Sequence, residues 1–330
     1  MNRIPSLALD PYLFHISPEE SGLRIDKILS MRFPHFSRSY FQYLLASGLV
    51  LLNGQPVKKR AAPASSDEIE IYFEITPELT ITPEPMTFQI LFEDEHFLAI
   101  NKPPGLVVHP APGHWSGTFV NGLLAHCKTL STCDDPLRPG IVHRLDKETS
   151  GVLLAAKTRE AHQKASELFA SRQMEKMYLA ICCGRPANGI IDAPIGRHPV
   201  HRKEMTVKPD GKDAVSHVQV LAFNPEISLV LIKPKTGRTH QIRVHLKHTG
   251  HPILGDTVYG SSRMNQNLSP KRLLLHAYRL SFIHPFTKEP IQLAASLPDD
   301  MKHWVKRLSG SAQSSPSELQ LDIAFKPSVL

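Results

Sequence analysis

Residues 140–151 read GIVHRLDKETSG and set the carboxylate of Asp146 between the cations of Arg144 and Lys147, directly after the apolar pair Ile141-Val142. Pro139-Gly140 is a turn signal, so Ile141 and Val142 are predicted to end a buried strand that delivers His143, Arg144 and Asp146 at its mouth. Active sites of α/β sheets commonly sit at such strand ends. On this stretch alone, an ion pair with Arg144 or Lys147, or a cap on the following turn, accounts for Asp146 equally well. Working outward, strands are predicted at 88–92, 97–101, 106–109, 141–143, 152–156, 177–182, 217–223, 229–233 and 274–282, with helices at 159–171 and 240–248. Many strands and few helices predict an α+β domain over residues 88–308, built on a mixed, mainly antiparallel sheet.

With 330 residues, 41% hydrophobic and 21% charged, the chain has the composition of a soluble globular protein and room for a large domain plus a small one. No apolar run approaches the ~20 residues that cross a bilayer, and a start bearing Asp10, Glu19 and Glu20 is unlike a secretory signal. A cytoplasmic protein without a membrane partner is expected. Cys127, Cys133, Cys182 and Cys183 form no CxxC pair, which argues against a disulfide framework or a structural zinc site. His245, His248 and His251 recur every third residue, but without an HExxH pattern and with Gly250 breaking the helix they make a poor metal set. No GxGxxG or Walker loop is present.

Charge is unevenly placed. Residues 21–60 hold seven Lys or Arg against the single acid Asp26, whereas residues 61–100 hold nine acids and neither Lys nor Arg. Clustered cations are the footprint of a polyanion-binding protein, since each cation near a phosphate releases a counterion; a solvated basic face is the plainer alternative. Within residues 21–73, Ile25, Ile28 and Leu29 share one helical face. A second helix should start at Ser37 as N-cap, bury Phe41, Leu44 and Leu45 and stop at Gly48. Asn53-Gly54 marks a hairpin, Pro56 confines the return strand to an edge, and Ile69, Ile71 and Phe73 alternate into a closing strand. Arg24, Lys27 and Arg38 should then lie exposed. An N-terminal segment, 1–20, precedes this unit; residues 74–87, with Pro77, Pro83 and Pro85 among acids, form a linker. The tail 309–330 has the composition of a disordered segment.

Residues 24–59, with Ser37-Arg38-Ser39, Gly48-Leu49-Val50 and Leu52-Asn53-Gly54, resemble the alpha-L RNA-binding domain of the ribosomal S-4 type. The resemblance implies contact with structured RNA through Arg24, Lys27, Ser37, Arg38 and Lys58, by phosphate contacts that position without reading sequence. In the large domain, ILFEDEHFLAINKPPGLVVHP from Ile90, GIVHRLDKETSGVLLAAKT from Gly140, Lys176-Met177-Tyr178, KPKTGRTHQIRVHLKHTGHPILGD from Lys233 and LLLHAYRLSFIHP from Leu273 resemble the RluA-type pseudouridine synthases. Within that family, residues 107–124 are most similar to the ribosomal large-subunit synthase D subgroup.

The resemblance implies an enzyme that isomerises uridine to pseudouridine in RNA, with large-subunit (23S) ribosomal RNA or an assembling large subunit as partner. It makes Asp146 the essential catalytic residue, places Tyr178 in the uracil pocket, pairs Arg243 with the aspartate and gives Arg144 a part in displacing the base. The residue types suit that chemistry. A carboxylate near C1′ can form an ester or remove a sugar proton to give a glycal, and the sequence leaves both routes open. On the helix at 240–248, with Thr239 predicted as N-cap, His240, Arg243 and Lys247 share one face, so a cation there could meet Asp146; a basic helix that only grips RNA is the alternative. Flipping takes the base out of its stack. The reaction is redox-neutral and needs no external energy, so no cofactor or metal is expected. The competing reading is a noncatalytic RNA-binding or ribosome-assembly factor. A hydrolase is weaker, because nothing in the sequence sets Glu148 or Asp256 opposite Asp146.

Overall fold

The computed structural model describes residues 11–34, 36, 38–73, 81–110, 116–127, 130, 138–199, 201 and 204–309. Ser37, Ser39's side chain, Cys133, residues 74–80 of the linker and the tail from 310 lie outside the described residues, as do residues 1–10. In chain order the elements are β1 (Tyr12–His15), α1 (Ile25–Arg32), α2 (Arg38–Ala46), β2 (Val50–Leu52), β3 (Gln55–Pro56), β4 (Glu68–Ile71), β5 (Ile90–Glu93), β6 (Phe97–Lys102), α3 (Phe119–His126), β7 (Ser150–Ala156), α4 (Arg159–Ala170), β8 (Glu175–Cys183), β9 (Gly189–Asp192), β10 (Ile195–Arg197), β11 (Met205–Val207), β12 (Val215–Phe223), β13 (Ile227–Pro234), α5 (Gln241–His248), α6 (Ser262–Leu268), β14 (Leu275–Ile283), β15 (Pro290–Ala294) and α7 (Asp299–Ser309). They form two compact units, Met1–Pro85 with His109–Gly140, and Met86–Val108 with Ile141–Leu330.

The first unit contains an antiparallel sheet ordered β1-β4-β2-β3. Ile25, Ile28 and Leu29 of α1 and Phe41, Leu44 and Leu45 of α2 pack with Val50, Ile69 and Ile71. Asn53 and Gly54 both have positive φ, 49° and 75°, the requirement of a tight hairpin whose sense follows strand twist. Asp26, the one acid of the basic stretch, is wholly buried. It accepts two hydrogen bonds from Arg24, two from Arg38 at 3.0 Å each and one from Gln42 at 2.9 Å. Burial opposes its charge, but these donors hold its carboxyl below the usual carboxylate range. β1, whose Tyr12–His15 pairs with β4, is a strand that the sequence pattern did not signal.

The second unit is built on a nine-stranded sheet ordered β5-β6-β7-β14-β8-β13-β12-β9, with β15 alongside β14. Only β7 and β14 pair in parallel; the remaining ladders are antiparallel. Alternation along β8 sends Leu179, Ile181 and Cys183 to a core shared with Met301, Trp304 and Leu308 of α7. Ala180 and Cys182 pack instead with Ile242 and Leu246 of α5. At Gly151 (φ 110°) a Cβ would sit 2.1 Å from the carbonyl oxygen of Ala277, so β14 can approach there only because the side chain is absent. Two members of the histidine series make structural contacts: buried His245 bonds to Ser216 and the Ala193 carbonyl, and His251 to the Cys183 carbonyl, while His248 is exposed.

Three expectations are corrected. Residues 106–109 form no strand. Residues 141–143 form none either, Ile141 making only an isolated bridge to Ala155. The cap of α5 is His240, left-handed at φ 55°, and not Thr239; the Gln241 side chain instead accepts from the Arg238 amide and the Thr236 hydroxyl. The short strands β9 to β11 and β15, and helices α3 and α6, carried too little periodicity to be assigned from sequence, whereas Met301, Trp304, Val305 and Leu308 give α7 the spacing of a buried helical face, a helix legible in sequence but absent from the expectations above.

Candidate active site

Asp146 lies in the loop that leads into β7. β14 pairs with β7 only at Ser150 and Gly151. Further along, a side chain stands where a strand would: the Leu154 amide donates to Nε2 of His143 at 2.9 Å. An imidazole accepting at Nε2 is neutral with its proton on Nδ1, and burial, helped by the charge of Lys176, pushes His143 down to about 3. The same loop is fastened on its other flank. Nζ of Lys102, wholly buried, donates at 2.9 Å to each of the carbonyls of Pro103, Leu106 and Lys147. Burial pushes Lys102 down to about 7, yet three carbonyl acceptors use all three donors of an ammonium, so this is the geometry of the charged form. Arg272 donates to the Glu148 carbonyl at 3.1 Å while gripping Asp300 of α7 at 2.6 and 2.9 Å.

The carboxylate itself meets α5. Nη1 of Arg243 donates to Oδ2 of Asp146 at 2.8 Å, and Nε and Nη2 of the same guanidinium hold Asp256 at 2.7 and 2.9 Å. Burial works against the charge of Arg243, but the two carboxylates more than offset it and raise its pKa. Asp256 is buried too, and Arg243 with the amides of Val258 and Tyr259 holds its carboxyl low. The ring of Tyr259 lies beneath Arg243 at 4.8 Å and Lys247 at 5.3 Å. Its hydroxyl accepts from the Met205 amide at 2.8 Å and shares a hydrogen bond with Nδ1 of His240, also at 2.8 Å. Nε2 of His240 stands 3.7 Å from Oδ1 of Asp146. Burial keeps His240 below its ordinary pKa, against the pull of Asp146.

Asp146, His240 and Arg243 line a cavity of about 520 Å³ with Arg144, Arg172, Lys176, Tyr178 and Arg238. Lys176 and Tyr178 are two apart on β8 and so share a face. Opposite Tyr178, the register slips between Ala277 and Arg279 of β14, a bulge of the kind found beside active sites. Burial and the charge of Asp146 raise the phenol pKa of Tyr178, so it stays protonated.

Asp146, Tyr178, Arg243, Arg144 and His240, singled out from sequence, thus lie around one cavity. Arg24, Lys27, Arg38 and Lys58 belong to the first unit, where all four are exposed. Asp256, Tyr259, Lys102 and Arg272 were not read as site residues. Asp256 closes the family-like segment from Lys233 and was weighed only as a second acid for hydrolysis, whereas Tyr259 carried no signal beyond its place between Gly255 and Gly260.

Residues 96–248 match the model of the RNA pseudouridylate synthase family, and residues 23–68 match the S4 domain. A Bacillus subtilis protein named as an uncharacterized RNA pseudouridine synthase is 42% identical over 88% of this chain and 96% of its own. A Neisseria meningitidis serogroup A protein named ribosomal large subunit pseudouridine synthase D is 41% identical over 91% of this chain and 83% of its own. Among solved structures, human RNA pseudouridylate synthase domain containing 4 superimposes with a TM-score of 0.54 at 32% identity, covering 66% of this chain and 92% of that one.

Proposed function

The chain belongs to the RNA pseudouridylate synthase family, an RNA-binding isomerase, and on that premise we propose that it converts uridines of large-subunit ribosomal RNA, free or in an assembling subunit, to pseudouridine in the cytoplasm. The names of relatives such as the Neisseria protein support the substrate. An S4 domain with exposed Arg24, Lys27, Arg38 and Lys58 supports a structured RNA.

One observation supports Asp146 as the reacting group. Arg243 fixes Oδ2, while Oδ1 has no hydrogen-bond donor within 3.5 Å among the described residues. Arg243 anchors the carboxylate by one oxygen and leaves the other open to the cavity. In the reaction the N1–C1′ bond breaks with its electron pair going to the base. The base turns, C5 bonds to C1′, and the proton lost from C5 is matched by one gained at N1. Oδ1 of Asp146 either attacks C1′ or removes a sugar proton; both need the carboxylate charged. Tyr178 supplies a flat face for the base and a protonated hydroxyl. Arg144, exposed and lining the cavity, is placed to fill the stack that the flipped base vacates.

Asp146→Asn keeps the shape and removes the charge. With unmodified large-subunit ribosomal RNA tritiated at uridine C5, the wild-type protein should release tritium and yield carbodiimide-reactive pseudouridine, and the variant should do neither while binding RNA equally well. Multiple turnover by a contamination-free Asp146→Asn protein would overturn the assignment.

A further inference from the structure

The cavity holds one cation whose partner is missing. Arg243 is committed to two carboxylates, Arg238 donates to the Asp213 carbonyl, and Arg144, Arg172 and Lys235 are exposed. Lys176 differs from all of these. It is half-buried, and among the described residues its ammonium has neither an acid within 4.0 Å nor a hydrogen-bond acceptor. His143, whose pKa its charge helps to lower, is a neighbour but offers no counter-charge. Nζ lies 5.9 Å from the centre of the Phe169 ring, and a Cβ on Gly237 would come within 3.8 Å of it. Leaving a cation partly out of water without a counter-charge costs stability. The burial that pushes the Lys176 pKa down is the same cost seen in protonation.

The proposed reaction supplies the missing partner. When the N1–C1′ bond breaks, the electron pair stays with uracil, and the departing base is a uracilate anion whose charge is shared by N1, O2 and O4. Its neighbours on the opposite side of the bond carry the carboxylate of Asp146, which stabilises C1′ and repels the base. A cation fixed on the β8 face that carries Tyr178 meets the base where that charge develops. We propose that Lys176 is a further catalytic residue, which donates a hydrogen bond to a carbonyl oxygen of the uracilate as the glycosidic bond breaks. No proton changes hands in this step. The ammonium stays charged, the anion is held while it turns, and C5 then closes onto C1′. This assignment rests on the synthase reading above.

Leaving-group acidity separates this role from a structural one. Single-turnover rates are measured on an unmodified large-subunit ribosomal RNA transcript, and on the same transcript made with 5-fluorouridine, whose base is the more acidic leaving group. Lys176→Met should consume uridine about 100-fold more slowly than wild type at unchanged RNA affinity, the usual loss for one oxyanion-type donor. On 5-fluorouridine the deficit should narrow to about 10-fold, because a more stable anion needs the cation less. Lys176→Arg should recover most of the rate, and Lys176→Gln, a donor without charge, should fall between. Thermal melting of each variant shows that it is folded. An equal deficit on both RNAs, or loss of affinity in step with rate, overturns the inference and makes Lys176 a structural or phosphate-binding residue. Wild-type protein that forms no pseudouridine in this RNA overturns the substrate reading and this inference with it, whereas active wild type beside an equally fast Lys176→Met overturns the inference alone.

Discussion

The two units each bury a charge shared between two opposite charges, and they do so with inverted signs. In the first, the carboxylate of Asp26 is wholly buried between Arg24 and Arg38, whose side chains remain 45% and 47% exposed. In the second, the guanidinium of Arg243 is buried between Asp146 and Asp256. The buried member is the tool in neither case. Asp26 orients two cations toward solvent, leaving Nη1 of each without a partner among the described residues. Arg243 orients one carboxylate toward a cavity, leaving its Oδ1 open. On the proposed function, the buried acid between outward cations serves a polyanion surface, and the buried cation between acids serves a reactive anion.

The strongest way to break the comparison is to remove the central member of the proposed catalytic set. Arg243→Met should lower the single-turnover rate by about 10³-fold, at the upper end for one electrostatic contact, while RNA affinity moves by less than about threefold, on the scale of an exposed contact. Equal losses of rate and affinity would instead make Arg243 a phosphate anchor. Asp256→Asn comes next. Asp256 never faces the reaction, but without its charge Arg243 is free to swing, and a rate loss of about 10-fold to 100-fold is expected from misplacing a group by an ångström. The buried pair is broken from one side, so chemical denaturation should also show the second unit destabilised by about 3 kcal/mol.

Half of this comparison was legible in the sequence. Helical spacing set His240, Arg243 and Lys247 on one face, and they do converge on Tyr259. Residues 177–182 are predicted as a strand and Lys176-Met177-Tyr178 stands as a motif, but that Lys176 and Tyr178 share a face follows only from β8 starting at Glu175. What escaped was set by tertiary contact. Asp256 reaches Arg243 only because α5 ends and the chain folds back through Gly250 and Gly255, both at φ 82°. His143 looked like the end of a strand because Ile141-Val142 is apolar, whereas its ring, not its backbone, completes the edge of β7. Asp26 was counted as one unit of charge against seven cations, and its burial between two of them has no periodic signature.

Acid should separate the two units. In the second, His143 is pushed down to about 3 and His276, bonded to Ser150 and the Ala295 carbonyl, to about 4. Both are neutral in the fold, while the unfolded chain takes up protons near 6.5. Above that pH neither state binds them, and the contribution is fully present. As pH falls from 6.5 toward 4, the unfolded state binds more protons and the unit loses up to about 1.4 kcal/mol per pH unit for each histidine; the loss levels off only below the folded values. In the first unit Arg32 holds Glu20, and against burial Arg38 and Arg24 hold Asp26, below the ordinary carboxylate range, so what these groups contribute is lost only as pH falls through about 4. Melting followed by hydrogen exchange should therefore show the second unit weakening first between pH 6.5 and 4. Parallel loss in both units would mean that these histidines are not held neutral.

The smallest effect sharpens the other half of the comparison. If Arg38 touches a phosphate with its outward edge, Arg38→Gln removes one released counterion and should reduce the slope of log affinity against log salt by about 0.9 for duplex RNA-like charge density. Asp26→Asn leaves every cation in place, so the slope should hold. It loosens the orientation of Arg24 and Arg38 instead, and charged hydrogen bonds of this kind contribute about 1.5–3 kcal/mol to stability, which the first unit should lose. Binding isotherms for unmodified large-subunit ribosomal RNA at four or five salt concentrations resolve the two variants. A slope that falls with Asp26→Asn as well would show that the arginines contact RNA only while the carboxylate holds them. A slope unchanged by Arg38→Gln would show that the pair serves the packing of α1 against α2, through Asp26 and Gln42, and leaves RNA to Lys27 and Lys58.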